Sequence, residues 1–393
     1  MKHNAELKKF KMSTQLAMLG RNPNEQNGFV NAPVYRGSTV VYKSCDDIRH
    51  KRARFSYGTS GMPTIENLEM AWSSLCDSAG TVLSPSGLGA LALALFSVTS
   101  AGDHILVTDS VYRPTRNFCN TLLSKYGVSV TYYDPLIGTD IEALIQENTR
   151  VILLECPGSQ SFEVQDIGAI VAVAKRHNIS TIIDNTWATP LFFNAHAHGI
   201  DLSVEAGTKY LSGHSDLLMG LVSANDSHWP ALRKTYDAMA MLPGAEDCFL
   251  ALRGLRTMHL RVKEAEARGL EMADWLKRQP EVSRVLHPAF EDCPGHENWK
   301  KYFTGSTGLF SIVLNARFNQ DNVDDMLDNM RIFCMGFSWG GFESLIIPFN
   351  CAEYRTATAW KPEGMTLRLQ IGLEDMDDLK YDLKEGLKRL SNR

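Results

Sequence analysis

The sequence predicts an α/β protein with a mostly parallel, seven-stranded sheet between helices, a smaller C-terminal α/β domain and an extended N-terminal arm. Three observations carry that expectation. From about residue 80, short apolar runs alternate with helix-length segments; from residue 251 the pattern changes character; the first 55 or so residues show no strong period. Residues 1–56 then form an arm contacting a neighbouring subunit, 57–250 a large ligand-binding domain, and 251–393 a small domain.

The runs TVLSP, HILVTD, VSVTYYD, RVILLECPG, STIIDNTW, VEAGTKYL and LLMGLVSA read as the strands. Each is short and mostly apolar, as strands buried on both faces of a parallel sheet are. Apolar-periodic stretches such as ALALALFSV, RNFCNTLLSKY and VQDIGAIVAVAKRHN lie between several of them and read as covering helices. Beyond 251 come a long amphipathic stretch, ALRGLRTMHLRVKEAEARGLEMADWLKRQ, a strand GLFSIVLNA, a helix near 321–333, a strand TLRLQIG, and a terminal helix DDLKYDLKEGLKRL.

Composition narrows the class. A chain of 393 residues, 44% hydrophobic and 22% charged, is that of an ordinary soluble globular protein. A net charge of −5 argues against a nucleic-acid surface, and HKRAR at 50–54 is too short to change that. The eight cysteines are scattered without a Cys-x-x-Cys pair, so they read as reduced thiols rather than disulfides or a zinc site. The N-terminus lacks the apolar core of a signal peptide, and LGALALALFSV is too short to span a bilayer. A cytoplasmic location, with no membrane or nucleic-acid partner, is the expectation.

Ligands of open parallel sheets sit at the carboxyl ends of the strands. Ser86, Gly87, Asp109, Tyr112, Pro157, Asp184, Asn185 and Lys209 all fall at such ends. Asp184 and Lys209 are one crossover and one strand apart, so their side chains can converge on one ligand. A lysine that covalently holds an aldehyde, with an acid that keeps a pyridine nitrogen protonated, points to pyridoxal 5'-phosphate (PLP). The run SPSGLGA at 84–90 offers amides at a helix N-terminus for the phosphate, Tyr112 a flat ring to stack, and Thr208 a hydroxyl.

From about residue 30 onward the chain resembles the cystathionine γ-synthase and β-lyase family of fold-type I PLP enzymes. The likeness rests on PVYRGSTV, SGLGA, the Tyr112 turn, LECPGS, IDNTWATP, GTKYLSGHSD, RGLRTM, SWGGFESL and LRLQIGLEDMDDL. The resemblance implies Lys209, Asp184 and Tyr112 as catalytic residues and Gly87, Leu88 and Thr208 around the phosphate. It implies that Tyr57 reaches the site of a neighbouring subunit, and that Ser338, Trp339, Arg368 and Tyr236 bind substrate. Trp339, where γ-synthases and γ-lyases usually carry leucine, tips the likeness towards the β-lyases. The implied activity is cleavage of cystathionine to homocysteine, pyruvate and ammonia in methionine biosynthesis, by a homotetramer that shares active sites between subunits. A family member acting on cystine or related thioethers (a cysteine-S-conjugate β-lyase or a γ-lyase) is the alternative.

Three positions depart from the family pattern. Thr59 stands where an arginine usually serves the phosphate, Ala206 where many members have serine, and Phe337 where a tyrosine is common. Arg113 or Arg116, in the turn VYRPTRN, is the expected substitute for the missing guanidinium, serving either the phosphate or the distal carboxylate of the substrate. Outside the family, Gly87, Gly89 and Ala92 spell G-x-G-x-x-A, with Asp109 following the next strand, which is the fingerprint of a nicotinamide-binding Rossmann domain. That rival leaves Lys209, Asp184 and SWGGFESL unexplained. A fold whose chemistry has lapsed would not need Lys209 and Asp184. His196 and His198 form an H-x-H pair with no third ligand suitably spaced, which reads as loop rather than metal site.

Overall fold

A computed structural model describes residues 7–391. The large domain is built on strands β1 (Gly80–Ser84), β2 (His104–Thr108), β3 (Ser129–Tyr133), β4 (Thr149–Glu155), β5 (Ser180–Asp184), β6 (Leu202–Glu205) and β7 (Gly220–Ala224), in the order β1-β7-β6-β5-β4-β2-β3. Every pairing from β6 across to β3 is parallel; β7 runs antiparallel to both of its neighbours, β1 and β6. Inner strands such as β2 and β7 are buried along their whole length, whereas the edge strand β3 exposes Ser129 and half-exposes the next three residues.

Side chains alternate between two cores. Leu106, Ile152, Leu154 and Ile183 face one way with the helices Pro63–Cys76 and Ile167–Arg176. Val107, Val151, Leu153 and Ile182 face the other, against the apolar helix Gly87–Val98. A four-stranded antiparallel sheet, β8 (Val282–Leu286), β9 (Leu309–Leu314), β10 (Leu345–Phe349) and β11 (Thr366–Gln370), forms the small domain in the order β10-β11-β9-β8. Its core is closed by the helices Gln320–Asp328 and Met376–Ser391.

One helix, Ala245–Lys277, belongs to both domains. Its first half buries Cys248, Leu255, Met258 and Val262 in the large-domain core; Met272, Ala273 and Leu276 lie in the small-domain core. The expected boundary at 250/251 therefore falls inside a continuous helix. Nor is the arm extended throughout. A short helix, Met12–Met18, docks on this long helix, and the Arg256 guanidinium donates to the carbonyls of Leu16 (2.8 Å) and Leu19 (2.5 Å). Further along the arm, Phe29, Val30, Val41 and Ile48 are exposed.

The packing between β7 and the loop after β1 fixes the future ligand end of the sheet. A Cβ on Gly220 would stand 2.3 Å from the Ser86 carbonyl oxygen, so only glycine lets β7 pass this close. Gly220→Ala should cost about 1–3 kcal/mol and lower the Tm in a thermal melt. Gly37→Ala, whose added methyl meets nothing within 4 Å, should leave the Tm unchanged.

Candidate active site

The parallel strands deliver their carboxyl ends to one edge. Strand β4 ends on Glu155 and β5 on Asp184, which sit side by side in register, with Val204 of β6 on the far side of Asp184. The Asp184 carboxylate accepts the Thr186 amide (3.0 Å) and the Thr186 hydroxyl (2.5 Å). Burial raises its pKa; the Thr186 bonds and the charge of Lys209 pull it back.

VEAGTKYL reads from sequence as one strand, but β6 stops at Glu205 and the chain turns. In that turn the Lys209 amide donates to the Ala206 carbonyl (3.0 Å), and the Gly213 amide donates to the Lys209 carbonyl (2.8 Å). The turn is stitched to the sheet by Thr208, whose hydroxyl donates to the Met219 carbonyl (3.2 Å) and accepts the Met219 amide (2.9 Å). The Thr208 hydroxyl proton is thus engaged in the protein itself. The lysine Nζ lies 2.6 Å from the Ser338 hydroxyl and 5.4 Å from the centre of the Trp339 ring. Burial lowers the amine to about 8; the Arg368 charge pushes the same way and Asp184 opposes both.

Ser338 and Trp339 arrive from the small domain. Asp382, on the terminal helix, accepts the amides of Ile332 (2.7 Å) and Phe333 (3.0 Å) and so anchors the chain leading into this loop. Ser338 itself holds φ at +77°, a left-handed conformation that a non-glycine residue adopts only under constraint. Arg368 on β11 supplies part of that constraint by donating to the Ser338 carbonyl (2.9 Å). This arginine is 8% exposed, its Nε has no partner, and burial lowers its pKa to about 10. A buried guanidinium satisfied only by carbonyls suits an anion.

At the head of the helix Gly87–Val98, the Ser86 hydroxyl caps the Gly89 amide (3.0 Å). The amides of Gly87 and Leu88 stand in the first turn, where no carbonyl within the helix can take them. A Cβ on Gly87 would come 2.7 Å from the Ala206 methyl, so the cradle and the lysine turn touch at their smallest residues. Tyr112 is half-exposed, and its amide donates to the Glu155 carboxylate (2.6 Å). Burial, then Glu155, then Asp184 raise the phenol's pKa. Sequence reasoning missed Glu155 and Thr186, although LECPGS and IDNTWATP contain them.

A buried guanidinium with an unpartnered Nε, a helix-head cradle that only glycine opens, and a lysine with a lowered pKa near a strand-end acid together suit PLP. Lys209 would hold its aldehyde, Asp184 its ring nitrogen, and Gly87 and Leu88 its phosphate. Leu88, at 37% exposure, keeps its side chain out of the core.

Other expected residues lie elsewhere. Tyr236 is 1% exposed, packed in the large-domain core beside Glu69 and Arg233, with no partner for its hydroxyl. It does not line the cleft of its own chain. Tyr57, just past the arm, is 51% exposed and pairs through its backbone with Thr39. Arg116 cannot replace the missing guanidinium: buried against Tyr132, it forms an ion pair with Asp109 at 2.5 Å. Arg113 is exposed and faces Glu353 at 3.5 Å.

Asp109 also accepts the amides of Thr356, Ala357 and Thr358, so it docks the small domain rather than a ribose. The Rossmann reading fails on topology as well, because β1 pairs with antiparallel β7 and not with β2. His196 is held through both ring nitrogens, by the Ile200 carbonyl and the Ser223 hydroxyl (3.0 Å each). Among the described residues no cluster could hold a metal, and no helix is long and apolar enough to cross a membrane.

Known proteins share this architecture. The profile of a family described as Cys/Met metabolism PLP-dependent enzyme matches residues 13–388. A Saccharomyces cerevisiae protein named putative cystathionine beta-lyase is 63% identical over 336 residues, which is 86% of this chain and 98% of that one. The cystathionine beta-lyase MetC of Escherichia coli is 40% identical over 97% of this chain and 99% of its own. An L-alanine/L-glutamate racemase of Wolbachia pipientis is also 40% identical, over 95% of this chain and 96% of its own. Among solved structures, a cystathionine gamma-lyase from Lactobacillus plantarum complexed with L-serine superposes with a TM-score of 0.89 at 27% identity, covering 97% of this chain and 100% of that one.

The lowered amine has a measurable consequence, because only a neutral lysine attacks an aldehyde. The rate at which the PLP-free protein takes up PLP covalently, followed by the yellow colour, should rise with pH and level off above about 8. Arg368→Met removes a neighbouring positive charge, so the midpoint should move to higher pH. A wild-type midpoint near the 10.5 of an ordinary lysine would contradict the burial argument.

Proposed function

Because the chain belongs to the Cys/Met metabolism PLP-dependent enzyme family, we propose that it is a carbon–sulfur β-lyase cleaving cystathionine to homocysteine, pyruvate and ammonia, with one water consumed. The observation that carries the reading is Arg368: a buried, unneutralised guanidinium that bonds the Ser338 carbonyl, while Lys209 bonds the Ser338 hydroxyl, suits the α-carboxylate of an amino acid. The choice of cystathionine is supported by the names of relatives at 40–63% identity.

When bound, PLP supplies an electron-withdrawing ring that stabilises negative charge at the substrate Cα. The protein's part is then specific. Arg368 grips the carboxylate through its planar fork and so orients the Cα–H bond. Lys209, poised near neutrality in pKa, removes the Cα proton and returns protons later. Its bond to the Ser338 hydroxyl steers Nζ. Asp184, whose ionised form two Thr186 donors favour against burial, would hold the proton on the ring nitrogen. Trp339, packed on Tyr210 at 5.5 Å, walls the cleft against water.

We place the enzyme in the cytoplasm, in methionine biosynthesis, as a homotetramer. The exposed apolar residues of the arm, Phe29, Val30, Tyr35, Val41 and Ile48, support burial against further copies of the chain, with Tyr57 reaching a neighbouring site.

Product analysis after incubation with L-cystathionine tests the reaction. Pyruvate with homocysteine is expected; 2-oxobutyrate with cysteine would mean γ-cleavage. D-alanine formed from L-alanine, with cystathionine untouched, would favour the racemase reading that the Wolbachia relative represents. Arg368→Leu should raise KM for cystathionine roughly a hundredfold, in line with a lost charge-assisted pair, with a far smaller change in PLP affinity.

A further inference from the structure

Thr186 does more than donate to Asp184: three hydrogen bonds meet on it. Its amide (3.0 Å) and its hydroxyl (2.5 Å) both reach Oδ1 of Asp184. The hydroxyl also lies 2.9 Å from the Ala206 amide. A backbone N–H can only donate, so the hydroxyl must accept there, which leaves its single proton for the carboxylate. The polarity of the chain is therefore fixed. It runs from Ala206, through Thr186, to Asp184. Ala206 is also the residue whose carbonyl takes the Lys209 amide (3.0 Å) and whose methyl closes on Gly87. The side chain is 7% exposed, so water does not readily replace it.

We propose that Thr186 is a positioning residue: its hydroxyl locks the acid at the end of β5 to the turn after β6 that carries Lys209, and holds that acid as an acceptor-only carboxylate. The two cofactor-facing groups come from different strands, and β5 and β6 share only three paired positions, from Ile182↔Leu202 to Asp184↔Val204. Beyond the last pair, Asn185 bonds the Val204 carbonyl through its backbone amide (2.9 Å) and Glu205 through its side chain (3.3 Å), and the Thr186 hydroxyl carries the link on to Ala206.

Charge makes the lock matter. Asp184 is faced by Glu155 at the end of β4, by Glu205 at the end of β6, by Tyr112, and by one cation, Lys209. Burial opposes its ionisation and both Thr186 bonds favour the ionised form; burial and then the charge of Asp184 in turn raise the pKa of Glu155 and Glu205. Without the hydroxyl, Asp184 takes up a proton at higher pH and can no longer keep a ring nitrogen protonated.

The inference rests on reading Lys209 and Asp184 as the PLP pair, and the test separates the two. In Thr186→Val the shape is kept and the hydroxyl lost; Thr186→Ser restores it. PLP is titrated into the cofactor-free protein, and the absorbance of the bound cofactor and the turnover of cystathionine are followed against pH. For Thr186→Val we expect PLP to bind roughly tenfold or more weakly, as for a lost hydrogen bond to a charged group. The acid limb of the activity profile should rise by about one pH unit. Thr186→Ser should lie close to wild type in both. Thr186→Ala repeats the test should the valine variant not fold. If a folded valine or alanine variant matches wild type in PLP affinity and acid limb, the role given to Thr186 is wrong. If the serine variant is as impaired as the valine variant, packing rather than the hydroxyl is responsible, and the proposal likewise falls. If wild type takes up no PLP, the cofactor reading itself fails.

Discussion

Burying Lys209 beside Arg368 is the constraint around which the cleft is organised. Each charge is desolvated, which is why both pKa values fall, and the Arg368 charge lowers Lys209 further. A protein keeps such a pair only where something holds the chain against the repulsion and something anionic arrives to reward it. Asp184 is the one carboxylate whose charge offsets Lys209, and for Arg368 the partners are main-chain carbonyls. The remaining negative charge must come from ligands, and a phosphorylated cofactor with an amino-acid carboxylate supplies it.

The fold provides the restraint from two sides. Parallel strands bring Glu155, Asp184 and the lysine turn to one edge, and the small domain brings Ser338 and Trp339 down on them. The strained backbone at Ser338 persists because Arg368 and Lys209 each hold one of its atoms. The helix Ala245–Lys277 makes the two sides one body by contributing to both cores. Buried ion pairs, Asp109 with Arg116 and Glu163 with Arg355, tie the segment 355–358 of the small domain to the large one.

Much of this was legible in the sequence because it is local. Apolar runs gave away the seven strands, and small residues after TVLSP marked the cradle. What escaped was set by distant partners. LLMGLVSA reads like its parallel neighbours, since a strand buried on both faces looks the same in either direction; only pairing makes β7 antiparallel. Arg116 reads as an available charge until Asp109 and the amides of 356–358, some 247–249 positions away from Asp109, claim the site. Tyr236 reads as a substrate aromatic until the core closes over it. Thr186 and Glu155 looked like ordinary neighbours of better candidates, because a hydroxyl or a carboxylate acquires its role from the strand beside it. The short helix Met12–Met18 is too brief to show a period, and it takes its form from docking on the long helix.

The central claim is that Lys209, and no other lysine, holds the cofactor. Borohydride reduction of the PLP-loaded protein, followed by proteolysis and mass spectrometry, tests it most directly. The account predicts one reduced pyridoxyl adduct, on the peptide containing Lys209; an adduct on another lysine, or a protein that binds PLP with no reducible link, would contradict it.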